Sequence, residues 1–193
     1  MERVGRIVHM AWNPWLAAGA LACFLSLFAP VAVADSVLLS LSGGKEPGGD
    51  QDNSLVALDY EFVRKSRSIR SSLSLGVSYA YMRNNADVGA GDAHVLSLYP
   101  QLTLHPQYAA LRNTWFFVRA LGPGYLSDNQ FGHLRQDNHF TFLAQVGVGY
   151  RMPLDGDNAL LWQVSWRHYS NANLFNDNDG IDFPVTLSIG LDF

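Results

Sequence analysis

Cysteine is nearly missing from this 193-residue chain: Cys23 is the only one. It sits inside an apolar N-terminal stretch that reads as an export signal, so the chain beyond residue 34 has none. Cysteine nucleophiles, thiolate metal sites, redox chemistry and disulfide staples are thereby excluded. An exported chain without disulfides must be held by packing or by a closed hydrogen-bonded ladder. A sustained 3.6-residue apolar period is missing too, so no helix is expected after residue 34. Positive charge is scarce. Without Arg3, Arg6 and Glu2 the 13 basic and 17 acidic residues become 11 and 16, a formal charge of −5. Nucleic acid wants a basic face and is excluded as a partner. Internal repeats and low-complexity linkers are absent as well.

What is present begins with Arg3 and Arg6, followed by an apolar run from Trp15 to Phe28. Pro30 and the small triplet Ala32-Val33-Ala34 come next, just before Asp35. A positive start, an apolar stretch and an A-x-A site describe a cleaved signal peptide over residues 1–34. An uncleaved anchor is the competing reading, because the run approaches the roughly 20 residues of a spanning helix. The small residues where a signal peptidase reads favour cleavage. The remainder, residues 35–193, fits one domain.

That remainder is written in twos. Leu73, Leu75, Val77, Tyr79 and Tyr81 alternate with Ser72, Ser74, Gly76, Ser78 and Ala80. Val56, Leu58, Tyr60 and Phe62 alternate with Leu55, Ala57, Asp59 and Glu61. Trp162, Val164 and Trp166 oppose Gln163, Ser165 and Arg167, and Phe183, Val185, Leu187 and Ile189 oppose Pro184, Thr186 and Ser188. Successive side chains of a strand point to opposite faces, so each segment is a strand with one apolar face. A soluble sandwich alternates as well. Aromatic residues near the strand ends favour a membrane barrel, since interfacial girdles are built from them. Small and polar opposite faces suit a narrow lumen. Phe193 closes the chain at the apolar phase, which resembles the terminal signature of bacterial outer-membrane barrels.

Strands are expected at 36–42, 54–63, 70–83, 93–104, 113–122, 139–151, 159–170 and 183–193. The fold class is therefore all-β, an eight-stranded antiparallel transmembrane β-barrel in the bacterial outer membrane, the smallest usual size. Long loops rich in Gly, Asn and Asp fall at 43–53, 84–92, 123–138 and 171–182, on the outer side. Short turns at 64–69, 105–112 and 152–158 face the periplasm. The seventh strand thus reaches the outer surface at about Ser170.

The chemistry is expected there. His168 and Ser170 are two apart and share the face of Trp162, Val164 and Trp166, which points to lipid. A purely structural barrel would place apolar groups at both positions. A His beside a Ser can act as base to nucleophile if a third group orients the ring. Asp177, Asp179 and Asp182 are the acids available, and Asp182, beginning the paired eighth strand, is best placed to return beside His168. Asn178 or a backbone amide after Ser170 can donate to an oxyanion. An H-x-S triplet is common, however, and the bland reading is an interfacial strand end with a polar loop behind it.

The stretch His168-Tyr169-Ser170-Asn171-Ala172-Asn173-Leu174, followed by Asn178-Asp179-Gly180-Ile181-Asp182, resembles the signature of the PagL-type outer-membrane lipid A 3-O-deacylases. The resemblance implies His168 as base, Ser170 as nucleophile and Asn178 as oxyanion-hole donor. The family's orienting acid follows the His by fourteen residues, the place of Asp182, where the family carries Glu. It implies hydrolysis of the 3-linked hydroxyacyl ester of lipid A with no metal and no cofactor. The partners it implies are lipid A of lipopolysaccharide as substrate and the outer membrane, with a homodimer left open.

Other features are weaker. Asp177-x-Asp179-Gly180 looks like a calcium-loop fragment but lacks the later ligands. Arg64, Lys65, Arg67 and Arg70 read as a solvated basic turn, and Arg119 and Arg167 as lumen groups pairing with Asp59 or Glu61. A non-enzymatic barrel serving as anchor, adhesin or binding module is the first competing function. A barrel acyltransferase, the second, would want an interior hydrocarbon cavity.

Overall fold

The twofold alternation becomes a closed ladder in three dimensions. The structure, a computed structural model, describes residues 36–193, so the expected signal segment lies outside the described residues. In chain order the strands are β1 (Ser36–Lys45), β2 (Asp52–Ser68), β3 (Ser71–Asn84), β4 (Asp92–Leu104) and β5 (Thr114–Leu126), then β6 (Gln130–Phe131), β7 (Leu134–Arg135), β8 (Phe140–Pro153), β9 (Ala159–Ser170) and β10 (Ile181–Asp192). Eight of them form an antiparallel barrel in sequence order, with β1 and β10 paired to close it. The short β6–β7 hairpin is a separate feature of the loop between β5 and β8. A 3₁₀ turn at Ala109–Leu111 is the only helical piece among the described residues. Closure pairs the strand edges, which is what lets a sheet lie in hydrocarbon.

The two faces separate as the sequence demands. Val56, Leu58, Tyr60, Val148, Trp162 and Val164 are exposed on the outside, while Ser40, Asp59, Ser78, Gln145, Ser165 and Arg167 are buried in the lumen. Asp59 is the hub of that lumen. Its Oδ2 accepts from Arg119 Nη1 at 2.9 Å and Arg167 Nη2 at 2.6 Å, with all three side chains at most 1% exposed. Arg119 also lies over the Tyr99 ring, 4.0 Å from its centroid, and donates to Gln101 and Gln145. Towards the long-loop end the lumen is packed with Met82, Leu126, Phe131, Leu143, Tyr169 and Phe183. At the short-turn end a polar cavity of about 260 Å³ is lined by Glu61, Arg64, Arg151 and Asp192 among others. Neither half offers the interior hydrocarbon space that the acyltransferase reading needs. Replacing Asp59 with Ala leaves two guanidinium groups buried without their carboxylate. We expect a loss of roughly 3–5 kcal/mol, the usual cost of breaking a buried pair from one side. The measurement is the urea midpoint of heat-modifiable mobility in detergent.

Three expectations are corrected. The turn expected at 64–69 shrinks to Ile69–Arg70, because β2 runs on to Ser68. Arg64 is accordingly no solvated turn residue: it bridges Glu61 at 2.7 Å and Asp192 at 3.0 Å in the mouth of the lumen. The fifth strand passes through Gly122-Pro123-Gly124, which reads as a stop, and ends at Leu126. A register shift between Arg119 and Gly122, with Leu121 at φ 56°, absorbs the irregularity, and bulges are where strands tolerate proline. Finally Phe183, expected on the lipid face, is 1% exposed and lies in the lumen cluster. Its reversal shapes the site.

Candidate active site on the lipid-facing surface

β9 delivers Trp166, His168 and Ser170 to the outer face at the long-loop end. Opposite them β10 carries an extra residue. Arg167 pairs with Phe183 and Ser165 with Thr186, so two residues, Pro184 and Val185, face the single position Trp166. Such a bulge reverses the facing of everything beyond it. Proline lacks the N–H for a regular ladder, which gives the bulge its place. Without the bulge, Leu187 and Val185 outside would put Asp182 in the lumen. With it, Phe183 turns inward and Asp182 turns outward, directly across from His168.

Contact follows from that register. His168 Nδ1 lies 3.0 Å from Asp182 Oδ1, and Trp166 Nε1–H donates to the same oxygen at 2.7 Å. The Trp166 ring stacks on the imidazole at 5.4 Å between centroids. A carboxylate oxygen receiving two donors is an acceptor, so Nδ1 carries the proton and Nε2 keeps its lone pair, the tautomer a general base requires. The His168 and Asp182 side chains are 22% and 20% exposed. That exposure is on the outer face of the barrel, at the long-loop end. Ser170 sits two residues on, half-buried, on the same face. Same-face neighbours in a strand lie about 6.6 Å apart at Cα, a span that imidazole and hydroxyl together can bridge. No hydrogen bond joins Ser170 to His168 among the described residues, and catalytic contacts commonly tighten only with substrate bound.

The chain turns sharply after Ser170. Ala172 and Asn173 take left-handed φ values of 55° and 57°, a conformation that Asn tolerates and Ala adopts at a cost. Asn178 braces this turn: its Oδ1 accepts the Asn171 N–H at 2.8 Å, and its Nδ2 donates to Asn173 Oδ1 at 2.8 Å. The amide nearest Ser170 is therefore already engaged, and one of the two Asn178 N–H bonds remains. The loop is splinted from outside by the segment after β7. Asp137 N–H donates to Asp177 O at 3.0 Å, and Asp179 N–H to Arg135 O at 2.8 Å. Asp179 Oδ2 accepts the Arg135 N–H, and Asp177 pairs with the Arg135 guanidinium at 3.4 Å. Of the three acids weighed from the sequence, only Asp182 meets His168. Among the described residues no group of three or more His, Cys, Asp or Glu could hold a metal ion.

The model of the lipid A 3-O-deacylase (PagL) family matches residues 52–191, the span that holds His168, Ser170, Asn178 and Asp182. The chain belongs to the lipid A 3-O-deacylase family. Among solved structures, one described as the outer membrane enzyme PagL aligns with a TM-score of 0.55 at 19% identity, covering 81% of this chain and 97% of that one. At that identity the likeness shows the fold alone, a closed β-barrel. No curated protein matches the chain.

Three contributors to this arrangement have no role that the sequence pattern assigns. Trp166 reads as an interface anchor, yet its indole N–H fixes the Asp182 carboxylate. Glu46, in the β1–β2 loop, reaches the backbone of Asp182; burial pushes its carboxyl up to about 7, against the opposing Asp182 N–H. Gly180 reads as a turn residue. Its φ is not left-handed, but a Cβ there would stand 2.3 Å from His168 Cε1. Gly180→Ala must push the imidazole away by about 1 Å to restore contact distance, a displacement that costs on the order of a hundredfold in rate. The check is kcat on purified, folded enzyme; an unchanged kcat would contradict the placement of the ring.

Proposed function

We propose that this protein hydrolyses the 3-O-linked acyl ester of lipid A in the outer leaflet, using Ser170 as nucleophile, His168 as base and Asp182 as orienting acid. The carrying observation is the 3.0 Å contact between His168 and Asp182 on the outer, lipid-facing side of the barrel. An apolar groove bordered by Leu39, Val148, Trp162, Val164, Leu187 and Ile189 lies on the same outer face, across β8, β9, β10 and β1, a surface on which an acyl chain can lie.

In the first step Ser170 Oγ attacks the ester carbonyl carbon while its proton passes to His168 Nε2. The oxyanion is met by the remaining Asn178 N–H and by the Ala172 N–H, which follows the engaged Asn171 amide. The tetrahedral species collapses, the C–O bond to the sugar breaks, and His168 returns the proton to the departing sugar hydroxyl. Water then attacks the acyl-serine with His168 again as base, and the fatty acid leaves. Asp182 stays ionised throughout and stabilises the imidazolium. Mass spectrometry of lipid A from cells expressing the wild type and Ser170→Ala, both checked for folding by heat-modifiable mobility, tests the reading. The expected result is loss of one 3-linked hydroxyacyl chain with the wild type alone. Unchanged lipid A beside a folded wild type would leave a structural or binding barrel.

A further inference from the structure

The acid of the site stands where its strand has lost a neighbour. The β1–β10 ladder ends at Ser42 opposite Thr186. Beyond it β10 bulges at Pro184–Val185, and β1 goes on paired only to β2. The Asp182 N–H, on the edge away from β9, thus has no strand carbonyl to meet. Glu46 meets it instead, its two carboxylate oxygens 3.3 and 3.2 Å from the amide nitrogen. Glu46 is 5% exposed and is itself held. Its N–H donates to Gln51 O at 3.0 Å, and its Oε2 accepts from Asn53 Nδ2. Asn53 Oδ1 accepts from Gln51 Nε2 at 2.7 Å, and Gln51 Oε1 accepts the His133 N–H at 2.8 Å. A buried polar chain therefore runs from the β6–β7 turn through the β1–β2 loop to the backbone of Asp182.

Position at Asp182 matters more than it would for a longer acid. Aspartate has one methylene, so its carboxylate follows its Cα with little slack, and the 3.0 Å contact with His168 is set by where β10 holds that Cα. A buried carboxylate is a costly cap for a single amide, and the site spends one at this point.

We propose that Glu46 is a positioning residue for the deacylation, standing in for the strand that β10 lacks and fixing the backbone from which Asp182 reaches His168. The assignment rests on the Ser170–His168–Asp182 reading and adds a residue that precedes the family-matched span of 52–191. Glu46 touches neither substrate nor imidazole; it acts through Asp182.

The test uses full-length enzyme in detergent micelles with purified lipid A, following fatty-acid release. Glu46→Ala is expected to lower kcat by about 10–100-fold through misplacement of the acid, with KM little changed. Glu46→Gln keeps an oxygen for the Asp182 N–H and is expected to recover most of that loss. In an Asp182→Ala background, followed over long incubations, Glu46→Ala is expected to add nothing. Each variant is checked by heat-modifiable mobility. Should Glu46→Ala not fold, Glu46→Leu, which keeps bulk and removes the acceptor, is compared with Glu46→Gln in its place. Wild-type kcat in a folded variant without the acceptor would overturn the proposal. So would the same fold-loss in the Asp182→Ala background, or a Glu46→Gln as slow as the Ala variant. If Asp182→Ala alone keeps wild-type activity, the triad reading fails first, and the two failures are told apart.

Discussion

Ser170→Ala and His168→Ala are each expected to reduce kcat by roughly 10³-fold or more, with the double variant no slower than either single one. That non-additivity is the signature of groups acting as one unit. His168 exists in this account to accept the Ser170 proton and return it to the leaving group; without the hydroxyl there is nothing to accept, and without the base the hydroxyl is a poor nucleophile. KM should move little, because both side chains act on the reacting atoms, whereas the acyl chain is proposed to lie on the groove at Trp162, Val164 and Ile189. Steady-state kinetics on lipid A in micelles reads the outcome directly. If the two single losses multiplied in the double variant, the two residues would be acting independently, and the nucleophile–base pairing would be wrong.

The second large effect is at the acid. Asp182→Asn keeps the shape of the side chain but removes its charge and offers an N–H where His168 Nδ1 now donates. The imidazole then turns to the tautomer with its proton on Nε2, facing Ser170 with a donor instead of a lone pair. The expected fall in kcat is about 10³–10⁴-fold, the size seen when a triad acid is neutralised without loss of geometry. Trp166 Nε1–H meets the same oxygen as His168 and loses its acceptor with it; the contact lies on the outer face, so the fold should survive, and a folded but inactive variant is the informative outcome. Near wild-type kcat in Asp182→Asn would mean that the carboxylate holds Trp166 and nothing more.

The barrel was legible because lipid outside and polar groups inside impose a period of two on every strand. The alternation gives β9 its bounds of 159–170; it offers Asp59 or Glu61 as partner for the lumen arginines, and Asp59 takes both Arg119 and Arg167. The reading failed where the chain breaks the period. Residues 64–68 look like a polar turn because that end of β2 is polar and largely exposed, although Arg64 turns into the mouth of the lumen to meet Glu61 and Asp192. The period alone puts Phe183 on the lipid face, and a single bulge inverts it with all that lies beyond. Pro184, inside an otherwise regular strand, was the available signal. The same bulge explains why Asp182 can join His168 despite a numerical phase that would hide it in the lumen. At the site, His168, Ser170 and Asp182 are local in sequence and so were visible together. Glu46 is 136 residues from Asp182 and belongs to another loop, which no local pattern reveals. Gly180 was hidden differently: its role is to be empty space beside an imidazole, and a D-G pair already has a sufficient explanation as a turn.

An activated serine should declare itself covalently. The most direct measurement is therefore incubation of the folded enzyme in micelles with an alkyl fluorophosphonate, followed by mass spectrometry of its peptides. The expected result is one phosphonyl adduct, on Ser170, absent in His168→Ala and strongly slowed in Asp182→Asn. An adduct on a different serine, or on Ser170 at the same rate without His168, would contradict the account.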